Sequence, residues 1–207
     1  MTTVRIHDIA NSITTLGPGS RLVIWFQGCK RRCKGCMSPE SRPLDGGKLA
    51  DLDKLIDVIC SAKGIEGITI SGGEPFLQVD ALYELLTAIR EKTNLGIIIY
   101  TGNTMEQLKT MKDSKVDGIT TGLADLIIDG EYIDDLNDGG SLKGSSNQKV
   151  NYITKRYVSC KALYEGKDRQ VQAVVSGGRM LLAGVPNKET LDSWKDIAEA
   201  VSNGCET

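Results

Sequence analysis

An alternation of short, β-rich apolar runs with stretches of helical spacing constrains this chain more than any other feature. RLVIWFQ (21–27), GITIS (67–71), GIIIYT (96–101) and ADLIIDG (124–130) have the composition of buried strands. Between them, LADLDKLIDVICSAK (49–63), VDALYELLTAIREK (79–92) and TMEQLKTMKD (104–113) repeat apolar residues at helical intervals, with Thr104 and Gln107 placed for a capping box. This order predicts an α/β fold of parallel strands joined by right-handed crossovers, as an open sheet or a partial, TIM-like β/α barrel. In either form the chemistry gathers at the strands' C-terminal ends. That rule selects the loops 28–47, 72–78, 101–103 and the one from Gly130 onward.

Beyond Asp138 the texture changes. DGGSLKGSSNQK (138–149) is a polar loop, and KVNYITKRYV (149–158) reads as a strand. VQAVVSGGRMLLAGV (171–185) reads as an antiparallel hairpin turning at Ser176-Gly177-Gly178, and PNKETLDSWKDIAEAV (186–201) as a helix. The expected organisation is a core of residues 1–150 with a hairpin-helix extension, 151–207, packed on it in one domain. The extension is expected to complete an edge of the sheet, since unpaired edges are a liability.

Several functions are disfavoured by composition. A net charge of −2 over 207 residues provides no overall basic field for nucleic acid or an anionic membrane. No apolar run approaches the roughly 20 residues that span a bilayer, and MTTVRIHDIANS has no secretory pattern, so the expected location is the cytosol. There, six cysteines point to metal or redox chemistry rather than disulfides. Cys60, Cys160 and Cys205 are scattered singles, and Cys60 falls in a helical pattern as a small core residue.

The other three form C-x3-C-x2-C at Cys29, Cys33 and Cys36. Short gaps let one loop turn three thiolates toward one inorganic centre. Structural zinc takes four protein ligands, yet the only histidine is His7 and no second C-x2-C exists. A [4Fe–4S] cluster on three thiolates keeps one iron open for a substrate or cofactor. A zinc site with a distant fourth ligand, redox thiols and an accidental cluster remain the alternatives. Trp25 and Phe26 are read as core residues, and Glu74 with Asp129 lacks the company of an acid–base site.

CKRRCKGC (29–36) followed by SGGEP (71–75) resembles the radical S-adenosylmethionine (radical SAM) superfamily. GPGSR (17–21), WFQGC (25–29), YTG (100–102), DLIIDGEYIDDLND (125–138) and KGSSNQ (143–148) narrow the likeness to activating proteins of glycyl-radical enzymes, most closely the anaerobic, class III ribonucleotide reductase type. The resemblance covers about residues 5–150. It implies reductive cleavage of S-adenosylmethionine at the open iron, giving a 5′-deoxyadenosyl radical that takes hydrogen from a glycine of a separate protein, such as the large subunit of that reductase. It also implies an external electron donor, flavodoxin or ferredoxin, which Lys30, Arg31, Arg32 and Lys34 could dock; a merely solvated loop is the other reading of those charges.

Among individual residues, the resemblance implies that Cys29, Cys33 and Cys36 hold the cluster. Ser71, Gly72, Gly73, Glu74 and Pro75 would bind S-adenosylmethionine, where glycines permit close backbone approach. Gly35 and Met37 flank the third cysteine, Met37 standing where many relatives carry an aromatic against adenine. Thr101, Gly102 and Asp129 end neighbouring strands and would reach the carboxylate or ribose, directly or through a cation. The alternative function is a radical SAM enzyme acting directly on a small molecule or peptide; an iron–sulfur or zinc scaffold that only binds a partner is the non-enzymatic one.

Overall fold

The computed structural model describes residues 2–140, 142–166, 169–176, 179–187, 189–190, 192–194 and 196. In chain order the elements are β1 (Thr3–Ile13), β2 (Arg21–Phe26), β3 (Lys48–Asp51), α1 (Leu52–Ser61), β4 (Gly67–Gly72), α2 (Val79–Lys92), β5 (Gly96–Thr101), α3 (Met105–Thr110), α4 (Ser114–Gly118), β6 (Leu126–Asp129), β7 (Lys149–Tyr152), α5 (Lys161–Glu165), β8 (Val171–Ser176) and β9 (Arg179–Gly184). Seven strands form one sheet in the order β3-β1-β2-β4-β5-β6-β7. Its centre, β2, β4, β5 and β6, is parallel, and β1, β3 and β7 run antiparallel to their neighbours. The sheet is open, with β3 and β7 at its edges, so the α/β class and parallel centre are as expected.

The central strands bury nearly every residue because both faces are covered. On one face α1 turns Leu52, Leu55, Ile56 and Ile59 inward, and α2 turns Leu82, Leu85, Leu86 and Ile89. These pack against Ile24, Ile68, Ile70, Ile97, Ile99 and Ile127. The capping box of α3 is present in both halves. On the other face Val23 and Trp25 join Ala10, Ile13 and Leu16 beneath Ala183 and Val185. Beside them Ile98, Leu126 and Ile128 meet Tyr157 and Tyr164.

Strand β2 opens on a wholly buried Arg21. Its guanidinium donates to Thr69 Oγ1 (2.6 Å), Ile68 O (2.6 Å), Tyr157 OH (2.9 Å), Gly96 O (3.0 Å) and Pro18 O (3.1 Å). One side chain thereby stitches the GPG turn, β4, β5 and the segment after β7 together at the end of the sheet away from the cysteines. Asp125 works alongside it before β6, accepting from Thr154 Oγ1 (2.6 Å), Arg90 Nη2 (2.7 Å) and Ile97 N (2.8 Å).

Several expectations need correction. The first strand, β1, lies in a segment read only for targeting signals; its alternation is broken by register shifts at Ile6/Asp8 and Ala10/Ile13. Residues 49–51 do not begin a helix: β3 pairs with β1, and Asp51 caps α1 by accepting from Lys54 N at 3.1 Å. The strand expected over 149–158 stops at Tyr152. The hairpin β8–β9 forms, but it does not extend the large sheet. It lies over the face of β1 and β2, because Ala183, Val185 and Leu181 find an apolar surface there, with Thr15 Oγ1 donating to Ala183 O at 3.0 Å. Gly177, Gly178 and Cys205 lie outside the described residues, as does much of 186–201; residues 189–190, 192–194 and 196 within it are helical. Among the described residues no helix is long and apolar enough to cross a membrane.

Candidate functional site

Parallel pairing puts the ends of β2, β4, β5 and β6 on one rim: Phe26 is paired with Gly72, and Thr101 with Asp129. From β2 the chain enters the cysteine loop, whose two ends are tied together. Gly28 N donates to Ser41 O (2.7 Å), Cys29 N to Arg42 O (2.9 Å), and Gln27 Nε2 to Pro43 O (2.7 Å). Residues 29–41 are thus held out from the sheet as one loop over the rim.

Cys29, Cys33 and Cys36 are half-buried and unpaired in disulfides. Burial pushes the Cys29 thiol up, and Cys33 is pushed up to about 11, first by burial and then by Glu131, whose Oε1 accepts from its Sγ at 3.4 Å. The charges of Cys29 and Cys36 also raise Cys33. Thiolates placed this close together would repel one another, and a cationic centre bound between them would offset that repulsion. Among the described residues no three His, Cys, Asp or Glu side chains are gathered tightly enough for a single metal ion. A cubane cluster is larger and takes its thiolates from around its perimeter, so the donor set fits it.

The three cysteines open onto a cavity of about 850 Å³. Its wall also includes Gly35, Met37, Ser71, Gly72, Gly73, Glu74, Thr101 and Gly102. Gly72 has φ of 95°, and a Cβ there would meet Phe26 O at 2.6 Å, so the turn after β4 requires glycine. A Cβ on Gly73 would run into Gly28 O. Both glycines are therefore required by the close approach of β2 and the start of the cysteine loop, and with Ser71 they line the cavity.

Two of the sequence candidates stand off this cavity. Pro75 is buried and opens the 3-10 turn Pro75–Gln78. Asp129 accepts from Met105 N at 2.7 Å and borders a separate cavity of about 190 Å³, where its Oδ1 is buried without a hydrogen-bond partner. Glu74 is on the wall but 5% exposed, its carboxylate bound to Thr101 Oγ1, Gly102 N and Phe76 N. Burial, the largest influence, pushes its carboxyl up against those three bonds and Arg31.

Sequence reasoning missed other wall residues. Trp25 is buried as expected, yet it lies on the cavity side of β2 whereas Phe26 faces the helices. His7 and Tyr100 also line the cavity, and so do Leu181 and Val185 of the extension. The period-2 pattern placed Trp25 and Tyr100 in strands without saying which face held the site. The hairpin's place in the wall had no local signal, because Thr15, which donates to Ala183 O, is 168 positions away in sequence.

Residues 15–151 match the model of the 4Fe-4S single cluster domain. The pyruvate formate-lyase-activating enzyme of Listeria monocytogenes is 35% identical over 88 residues, 40% of this chain and 36% of that protein. The chain thus spans about a third of the length of such relatives. The anaerobic ribonucleoside-triphosphate reductase-activating protein of Escherichia coli is 29% identical over 154 residues, 70% of this chain and 94% of that protein. Among solved structures, QueE from Escherichia coli overlaps 49% of this chain and 54% of its own at 18% identity with a TM-score of 0.39, too slight a likeness to bear on the fold. The resemblance to radical SAM activating proteins that CKRRCKGC and SGGEP carry is borne out by the sequence matches. Given three half-buried thiols on a cavity rim and a match over residues 15–151, the chain belongs to the 4Fe-4S single cluster domain family.

Proposed function

We propose that this chain is a radical SAM enzyme that installs a glycyl radical on a separate protein, of the anaerobic ribonucleotide reductase type. The observation that carries this reading is the sharing of one cavity by three cysteines, with no fourth among the described residues, and by Ser71, Gly72 and Gly73. When bound, the [4Fe–4S] cluster and S-adenosylmethionine supply the electron transfer and the carbon radical that such chemistry needs.

The protein's own part is geometric. Cys29, Cys33 and Cys36 would hold three irons; the carbonyls of Ser71, Gly72 and Gly73 would accept from the methionyl ammonium; Met37 and Gly35 would lie against the adenine. Thr101 and Gly102 complete the floor, fixed by Glu74. Asp129 could act on the ligand only from the adjacent small cavity, through a cation. Trp25, Leu181 and Val185 form an apolar wall that excludes water from a radical. The open sheet, read as an incomplete barrel, leaves a side for a partner's glycine loop. The electron donor would be a separate protein such as flavodoxin or ferredoxin, and the setting cytosolic.

One observation favours the alternative of a small-molecule or peptide substrate: the extension walls the cavity, whereas the Escherichia coli reductase-activating relative is matched over 154 residues only. A single anaerobic experiment separates the readings. After reconstitution with iron and sulfide, S-adenosylmethionine and a low-potential reductant should yield 5′-deoxyadenosine, and a reductase partner should acquire a glycyl-radical EPR doublet. An intact cluster without 5′-deoxyadenosine would sink both enzyme readings; cleavage that never yields the doublet but alters a small metabolite would favour the alternative.

A further inference from the structure

Three of the four cations in the cysteine loop face solvent and one does not. Lys30, Arg32 and Lys34 are exposed, whereas the Arg31 side chain is 23% exposed and folded inward. Its Nη2 donates to Asn103 Oδ1 at 2.8 Å and its Nη1 to Glu131 Oε2 at 3.4 Å, while Nε stands 4.0 Å from Glu74 Oε2. These partners follow β5, β6 and β4. One guanidinium therefore ties the stretch between Cys29 and Cys33 to the ends of three parallel strands. In the cluster-free chain the second oxygen of Glu131 also accepts from the Cys33 thiol, a bond that ends once Cys33 gives up its proton to hold iron, so the latch is the guanidinium and not this contact.

Gly102 belongs to the same arrangement. A Cβ built there would come within 2.5 Å of Arg31 Nε and 2.6 Å of its Cδ. Its φ lies outside the left-handed range, so backbone conformation does not demand glycine at this position. The passage of the arginine does.

We propose that Arg31 is a positioning residue that latches the cysteine loop to the ends of β4, β5 and β6, and that Gly102 is glycine to let it pass. This rests on the reading of the loop as the holder of the cluster. A lysine cannot replace the latch, since a point charge does not span a carboxylate and an amide in fixed directions as the planar fork does. With the latch broken, the three cysteines still share one loop and can still take up iron and sulfide. What slackens is the loop's placement over Ser71–Gly73, and with it the protection of the cluster.

The test uses the full chain, reconstituted anaerobically, as Arg31→Met, Arg31→Lys, Gly102→Ala, the Arg31→Met/Gly102→Ala double variant and Asn103→Ala. Iron content, the rate at which a chelator extracts iron, and the S-adenosylmethionine dependence of the reduced cluster's EPR signal are measured. Arg31→Met should load iron as the parent does, lose it to chelator roughly tenfold faster and bind S-adenosylmethionine roughly tenfold more weakly, the scale of one charged hydrogen bond. Arg31→Lys should recover only part of this, and Asn103→Ala should move in the same direction by less. Gly102→Ala should match Arg31→Met, and the double variant should be no worse than either, because both break one contact. Parental iron release and affinity in Arg31→Met overturn the latch. Additive losses in the double variant overturn the pairing and set Gly102 against the ligand instead. Should the parent load iron yet never bind S-adenosylmethionine, the function proposed above falls while iron release still decides the latch.

Discussion

The Glu74 carboxylate and the Thr101 hydroxyl meet at 2.8 Å, joining the loop after β4 to the end of β5. The same carboxylate takes the Gly102 N–H at 2.9 Å and the Phe76 N–H at 3.1 Å. The acidic residue of SGGEP thus commits its side chain to the protein's own frame, while Ser71, Gly72 and Gly73 line the cavity beside it.

Glu74→Ala strands one hydroxyl and two N–H groups in a buried setting. Each unsatisfied group costs about 1–3 kcal/mol, so urea unfolding of the cluster-free protein should show a loss of at least about 2 kcal/mol. An unchanged midpoint would show that these bonds contribute nothing net.

Arg21→Met removes the cation that five oxygens surround. Methionine fills part of the volume but leaves those acceptors facing apolar atoms, and the expected loss is at least about 3 kcal/mol. The urea midpoint should fall with an unchanged slope. A variant as stable as the parent would mean that the carbonyls are satisfied within the sheet.

Cys33→Ala should abolish the cluster's visible absorbance after anaerobic reconstitution, because two thiolates remain where three are needed. Cys60→Ala and Cys160→Ala should retain it, as these residues pack beside the helical core and the tyrosine cluster. Normal iron loading in Cys33→Ala would remove the loop from the site.

Acid should weaken the fold through Asp125. Burial opposes its charge, but Thr154, Arg90 and the Ile97 N–H outweigh burial and hold the carboxyl below 3.8. Between its folded value and about 3.8 in the unfolded chain, the unfolded state binds more protons. The stabilisation is therefore complete above the unfolded value and is lost as pH falls through the folded one. Asp125→Asn should flatten that limb of a stability–pH profile; an identical limb would assign it to other carboxylates.

Val185→Asp should free the extension. Val185 is 6% exposed in the cluster with Trp25 and Leu16, where a lone carboxylate is costly. Limited proteolysis should then cut within 169–187 while residues 2–152 persist. Resistance equal to the parent would show that polar ties hold the extension without this apolar contact: Arg169, which donates to the Gly140, Lys143, Gly144 and Pro186 carbonyls, with Thr15 on Ala183 O and Gln172 on Ser12 O.

The sequence alone determined the parallel centre of the sheet, the helices α1, α2 and α3, and the gathering of the cysteine loop and SGGEP at one rim. Those features are written in local period and spacing: β4 to β6 are continuous apolar runs, α1 and α2 repeat every three to four residues, and three cysteines share one loop. Tertiary structure decided what each polar group is for. Arg31 had the same local charge as Lys30 and turned inward only because Asn103 and Glu131 wait about 70 and 100 positions later. Asp129 moved to a neighbouring cavity because Met105 N claims it. The hairpin, two strands by its own pattern, became a wall of the site because the apolar face of β1 and β2 lay uncovered. Period and spacing report a residue's neighbours in the chain, whereas hydrogen-bond partners and buried faces are set by elements far apart in it.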